Sequence, residues 1–72
     1  MLRNLKNALE QRNITYKDVG ELIGKSEKSV YSKINEETEF TLREILKIQK
    51  FLFPEYDLYY LFATDKNSGK SA

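Results

Sequence analysis

The chain carries few side chains of the kinds that perform enzyme chemistry. Its 72 residues include no Cys and no His, so it lacks the thiolate nucleophile, the usual general base and the common zinc-ligand spacings. Carboxylates are numerous, but their spacing indicates no general acid and base pair, and there is no glycine-rich phosphate loop. We therefore expect no enzyme activity, no metal site, no cofactor and no small-molecule substrate.

The most informative spacing lies in the first half of the chain. Thr15, followed three residues later by Asp18, is a variant of the capping box that begins a helix, and Gly24 is placed to end that helix. Ser26 then begins another helix after a very short turn, and small Gly20 lets the two helices cross closely. Two short helices joined in this way are typical of a helix-turn-helix, whose second helix can enter a DNA major groove.

The remaining elements also have helical spacing. Apolar residues recur every three or four positions through most of the chain, without the alternation of strands, so we expect an all-α fold. Leu2, Leu5 and Leu9 form the buried stripe of a first helix, and Asp57 caps a short last one.

A fourth helix is predicted after a polar loop at residues 35–39. A full capping box from Thr41 to Glu44 begins it, and Pro54 prevents its continuation because proline has no amide hydrogen. Its predicted buried face consists of Leu42, Ile45, Leu46, Gln49 and Leu52.

Length and composition indicate one small folded domain. A chain of 72 residues has room for a single core, and 40% hydrophobic residues is too many for a disordered chain. No apolar run approaches the roughly 20 residues of a membrane helix, and the secretory signal pattern is missing, so we expect a cytoplasmic protein. The domain is predicted over residues 1–63, followed by a disordered polar tail over 64–72.

The overall charge gives little indication of a nucleic-acid partner. Twelve Lys and Arg against eleven Asp and Glu leave a net charge of +1, without the basic excess that is typical of nucleic-acid binding. Residues 36–44 contain one Arg and four Glu and form an acidic region. Any DNA binding must therefore depend on local charge.

Residues 16–26, Tyr-Lys-Asp-Val-Gly-Glu-Leu-Ile-Gly-Lys-Ser, resemble the second helix and turn of the Cro/repressor-type (XRE) helix-turn-helix proteins. Residues 2–13 resemble the first helix of that family, 40–52 its fourth and 56–62 its short last helix. The resemblance implies a compact five-helix, lambda-repressor-like DNA-binding domain. It also implies a phage-like transcriptional regulator that places its third helix in the operator major groove.

The resemblance assigns roles to individual positions. The residues at positions where the family reads base edges are Ser26, Glu27, Lys28, Tyr31, Ser32 and Asn35. Those assigned to phosphate are Thr15, Tyr16, Lys17, Lys25 and Lys33. The sequence departs from the family at Tyr16, where Gln is common, at Lys25, where an apolar residue is common, and at Glu36 and Glu37, where Gly and a basic residue are common.

Two alternatives stay open. The same fold could serve as a protein-interaction module, such as an antirepressor or adaptor, and the acidic residues 36–39 favour that interpretation. Tyr59 and Tyr60 occupy positions where relatives more often have acidic residues. We expect at least one of these rings to be exposed and to form a homodimer contact; the alternative is local packing against the first helix or residues 51–53.

Overall fold

The structure, a computed structural model, describes residues 1–63, and all of the regular secondary structure in this range is helical. The helices are α1 (Arg3–Gln11), α2 (Tyr16–Ile23), α3 (Glu27–Ile34), α4 (Leu42–Leu52) and α5 (Leu58–Leu61). The predicted all-α, five-helix fold is therefore confirmed. The predicted disordered tail at residues 64–72 lies outside the described residues. None of the five helices is long and apolar enough to cross a membrane.

The helices begin where the capping residues predicted them to begin. Thr15 Oγ1 accepts a hydrogen bond from the Asp18 amide (3.1 Å), and Asp18 Oδ2 accepts one from the Thr15 amide (3.0 Å). Thr41 and Glu44 make the same reciprocal pair at 3.2 and 3.0 Å. Asp57 Oδ2 accepts from an amide of α5 at 3.0 Å. Each cap satisfies amides that a helix start leaves without partners, so these boundaries are fixed locally.

One hydrophobic core joins the five helices. Its members are Leu2, Leu5, Ala8, Leu9, Val19, Val30, Ile34, Ile48, Phe53 and Leu61. The first helix packs against the last, and Asn4 Nδ2 donates to the Tyr60 carbonyl oxygen at 2.9 Å. The fourth helix packs against α2 and also against α5, so the α2–α3 pair is connected to the rest of the domain through α4 and the common core.

The buried face of α4 differs from the predicted one. Leu42 is 67% exposed and Leu46 is also exposed, so their predicted burial was wrong. Glu44 and Ile48 are buried instead, while the other three predicted positions are half-buried. Relative to the predicted orientation, α4 is rotated about its axis, because Ile48 packs in the core and Glu44 pairs with a buried cation, Lys33, on α3.

Arg12 fastens the end of α1 to the segment that follows α4. Its Nη1 donates to the Leu52 carbonyl oxygen at 2.7 Å, and its Nη2 forms an ion pair with Glu55. The guanidinium carbon lies 5.0 Å from the Phe53 ring centroid and 5.2 Å from that of Tyr56. One side chain thus supplies a hydrogen bond, an ion pair and two cation–π contacts at this junction.

Candidate nucleic-acid interface

Two glycines, Gly20 in α2 and Gly24 in the turn after it, allow α2 and α3 to lie close together. Gly24 has φ +75°, in the left-handed region that favours glycine, and the next amide, of Lys25, donates to the Gly20 carbonyl oxygen at 2.8 Å. A Cβ added at Gly20 would lie 2.4 Å from the Lys25 carbonyl oxygen, so only glycine fits there. Ser26 then caps α3, since its Oγ accepts a hydrogen bond from an amide in the first turn of that helix at 3.1 Å. A three-residue turn, 24–26, joins the two helices as in a helix-turn-helix.

The residues predicted to read base edges share one side of α3. Positions 27, 28, 31, 32 and 35 span about 140° of arc around the helix axis, and buried Val30 and Ile34 lie outside this arc. Of the six predicted side chains, Ser26, Glu27, Lys28 and Tyr31 are exposed, and Ser32 and Asn35 are half-buried. The helix therefore presents a continuous polar face with one aromatic ring in it.

Of the residues predicted to contact phosphate, Thr15, Tyr16 and Lys17 lie at the start of α2, whereas Lys25 lies in the turn after it and Lys33 near the end of α3. Lys17 and Lys25 are exposed, and the Thr15 hydroxyl already accepts the capping hydrogen bond. Asp18 lies in the same first turn, and its hydrogen bonds with the Thr15 amide and hydroxyl hold the pKa of its carboxyl below the ordinary value. A carboxylate thus occupies part of the site that a phosphate would approach.

Lys33 faces the interior rather than solvent. Its Nζ lies 3.4 Å from Glu44 Oε1, donates to the Glu39 carbonyl oxygen at 3.1 Å and lies 5.8 Å from the Phe40 ring centroid. A buried ammonium held in this way is not available to a DNA backbone. The prediction that Lys33 contacts phosphate is therefore not retained. Its place three residues after Val30, on the buried stripe, was the signal for this position.

Tyr16 and Tyr31 are brought together across the two helices, a contact that the sequence did not indicate. Their ring centroids lie 6.1 Å apart with the planes tilted by 48°. Tyr16 is half-buried, and burial, the negative charge of Glu10 and the neighbouring Tyr31 raise the pKa of its phenol. The Tyr16 hydroxyl is therefore a neutral hydrogen-bond donor at neutral pH.

Few cations on this surface are left without a neighbouring carboxylate in the described part of the chain. Lys6 pairs with Glu10 at 3.7 Å, and Arg12 and Lys33 also pair with carboxylates. The cations of this surface that form no ion pair with a carboxylate within residues 1–63 are Lys17, Lys25 and Lys28. No group of three or more acidic side chains in that range could hold a metal ion.

The two tyrosines of α5 differ in exposure. Tyr59 is 84% exposed and Tyr60 is 50% exposed, so the expectation of an exposed aromatic ring is confirmed. Tyr59 lines an open apolar depression of about 310 Å³ together with Leu42, Ile45, Leu58 and Phe62. The Tyr60 ring instead lies 6.1 Å from that of Tyr56, within the same chain.

A comparison with protein families identifies this arrangement. The family model of the Cro/C1-type HTH DNA-binding domain matches residues 4–52, which include most of α1 and all of α2 to α4. No curated protein and no solved structure matches the chain significantly. The match covers most of the chain and all of the α2–turn–α3 unit, so the chain belongs to the family of Cro/C1-type helix-turn-helix DNA-binding domains.

Proposed function

We propose that the protein is a sequence-specific DNA-binding transcriptional regulator that places α3 in the major groove of an operator. The exposed polar face of α3, held outward by the capped and glycine-closed turn, is the observation that carries this proposal. A groove about 12 Å wide admits one α-helix, and side chains on its outer face meet the base edges. This role requires the protein to share a compartment with the DNA, in agreement with the predicted cytoplasmic location.

The α3 side chains supply the chemistry for base reading. Asn35 can pair bidentately with adenine, Glu27 can accept from cytosine N4, and Lys28 can donate to guanine O6 and N7. Ser26 and Ser32 add hydroxyls to this face. Each good bidentate pair discriminates against the wrong base by about 1–3 kcal/mol, so a few such pairs suffice for a specific site.

Contacts to phosphate are expected to be few. Lys17 and Lys25, with the amides and phenol at the start of α2, face the backbone, whereas the exposed Lys28 is assigned to a base edge. With about two neutralised phosphates, the slope of log K against log salt is about −2 for one domain. The ionised Asp18 and the exposed Glu37 oppose phosphate, so base contacts rather than general charge must supply most of the affinity.

We also propose that two copies pair through α5, with Tyr59 as the main contact. A two-fold interface needs a surface that is complementary to itself, and here an exposed ring lines an open apolar depression of about 310 Å³. The Tyr59 ring of each copy would pack against the depression of the other. Tyr60, half covered within its own chain, would lie at the edge. Such a dimer reads half-sites about 34–36 Å apart.

The test of DNA binding is selection from a randomised duplex pool at about 50 mM salt, followed by titration of the best duplex to 200 mM. We expect an enriched motif whose binding falls about 10-fold or more when Lys28 or Asn35 is replaced by Ala. Lys47→Ala, an exposed lysine on α4, is the matched control and should bind as wild type. No enrichment with folded protein would overturn the proposal.

A protein-interaction module is the second candidate function. The exposed Leu42 and Leu46 together with Tyr59 favour it, because contiguous exposed apolar side chains mark interaction surfaces. Under this hypothesis Lys28→Ala and Asn35→Ala leave partner binding intact, whereas Leu46→Asp abolishes it. Sedimentation of wild type and Leu46→Asp, with and without DNA, separates a homodimer from a surface for another protein.

A further inference from the structure

We propose that Tyr31 reads the 5-methyl group of a thymine in the operator, and that Tyr16 is the positioning residue that holds the Tyr31 ring. The proposal rests on the DNA-binding function proposed above. It names the base that the aromatic part of the α3 face selects.

The Tyr31 ring is the large apolar surface on an otherwise polar face. It is 55% exposed, and its helix neighbours one turn away are Glu27 and Lys28 before it and Asn35 after it. Among the groups that base pairs present in the major groove, the thymine methyl is the apolar one. A ring at this place gains by covering a methyl group and gains little from the polar edges of the other bases.

Tyr16 gives the Tyr31 ring a defined position. An exposed tyrosine on a helix exchanges between rotamers, and ordering it on binding reduces affinity. Here the second ring, half-buried at the start of α2, lies within the 4.5–7 Å range of interacting aromatic pairs. Because Tyr16 packs against the hydrophobic core, it limits the directions in which the Tyr31 ring can point. The phenol of Tyr16 stays neutral, so no negative charge develops beside the DNA near neutral pH.

The test replaces each thymine of the selected duplex by deoxyuridine, one position at a time, because this change removes the methyl group alone. With wild-type protein we expect about a fourfold loss of affinity at one position per half-site, the equivalent of one buried methyl group. Tyr31→Ala should bind the thymine and deoxyuridine duplexes equally well. Tyr31→Phe should keep the fourfold preference, since the ring rather than the hydroxyl makes the contact.

The role of Tyr16 is tested in the same duplexes. Tyr16→Phe keeps the ring and should keep the methyl preference, whereas Tyr16→Leu should reduce it to about twofold or less. Lys28→Ala is the matched control, expected to weaken binding to the two duplexes by the same factor. Urea unfolding of each variant establishes that the domain is folded under the assay conditions.

The outcomes separate this inference from the function on which it rests. If no duplex is enriched, the DNA-binding function is refuted, and the inference with it. If a duplex is selected but no thymine position responds to deoxyuridine, the inference alone is refuted. It is also refuted if Tyr31→Ala lowers affinity while keeping the fourfold preference. Unchanged preference in Tyr16→Leu would overturn the positioning role.

Discussion

Replacing Lys33 with Met tests whether this cation is part of the buried structure rather than of the DNA-facing surface. Lys33 and Glu44 join α3 to α4 through an Nζ–Oε1 distance of 3.4 Å, and both side chains are buried. The substitution keeps the length and apolar stem of the side chain and removes its charge. Glu44 would then be a buried carboxylate without its cation.

The expected loss of stability follows from the partners that remain. At an effective dielectric constant of about 20, the attraction between Lys33 and Glu44 is about 5 kcal/mol, and it is largely offset by the lost hydration of the two ions. Removing one ion of such a pair typically costs about 3–5 kcal/mol. Glu44 keeps its hydrogen bond from the Thr41 amide (3.0 Å), so we expect a loss at the lower end of this range, about 3 kcal/mol. A domain of this size has only about 3–9 kcal/mol in total.

Urea unfolding followed by circular dichroism at pH 7 measures this loss. The double variant Lys33→Met with Glu44→Gln removes both charges, and it should recover to within about 1 kcal/mol of wild type. Lys47→Met, on the exposed side of α4, is the matched control and should change stability by less than about 0.5 kcal/mol. If Lys33→Met is as stable as wild type and instead lowers the salt slope of DNA binding by about one, Lys33 contacts phosphate and our reasoning is refuted.

Three other perturbations have definite expected results. Gly20→Ala should destabilise the domain by about 1–3 kcal/mol, measured in urea, because the new Cβ meets the Lys25 carbonyl oxygen and the backbone must shift; wild-type stability would refute the close crossing. Arg12→Leu should cost about 1–2 kcal/mol in the same assay through the lost hydrogen bond and cation–π contacts, and a loss below 0.5 kcal/mol would contradict it. The free energy of unfolding, measured against pH, should decrease at an acid limit and at an alkaline limit. The contribution of Asp18, whose pKa is lowered, is present above its unfolded value and is lost as pH falls through the folded one. That of Tyr16, whose pKa is raised, is present below its unfolded value and is lost as pH rises through the folded one. Asp18→Asn and Tyr16→Phe should each remove the corresponding limit, and an unchanged pH profile would contradict the assignment.

Features that depend on a few neighbouring residues were predictable from the sequence. Thr15 with Asp18, and Thr41 with Glu44, satisfy amides within one turn, so the starts of α2 and α4 follow from local chemistry alone. The left-handed Gly24 is equally local, since few other residues adopt that conformation without strain. These local signals carried the helix-turn-helix assignment.

Features that depend on how helices cross were not predictable. Glu44 was correctly recognised as a capping residue, but its second role, as the partner of Lys33, appears only when α3 and α4 are packed. The same packing turns Leu42 outward. The contact of Tyr16 with Tyr31 also depends on the crossing of α2 and α3, which no spacing of residues specifies.

The contact between the first and last helices sets the order in which a new chain can become functional. During synthesis α2 and α3 are neighbours and can pair early, but α1 lacks its contact with α5 until that helix has emerged, where the Tyr60 carbonyl oxygen accepts a hydrogen bond from the Asn4 side chain. Helical domains with short connections dock within microseconds to milliseconds, far faster than elongation at about 5–20 residues per second. The recognition helix therefore gains its full support almost at once when Leu61 leaves the ribosome, and translation rather than folding limits the appearance of active protein.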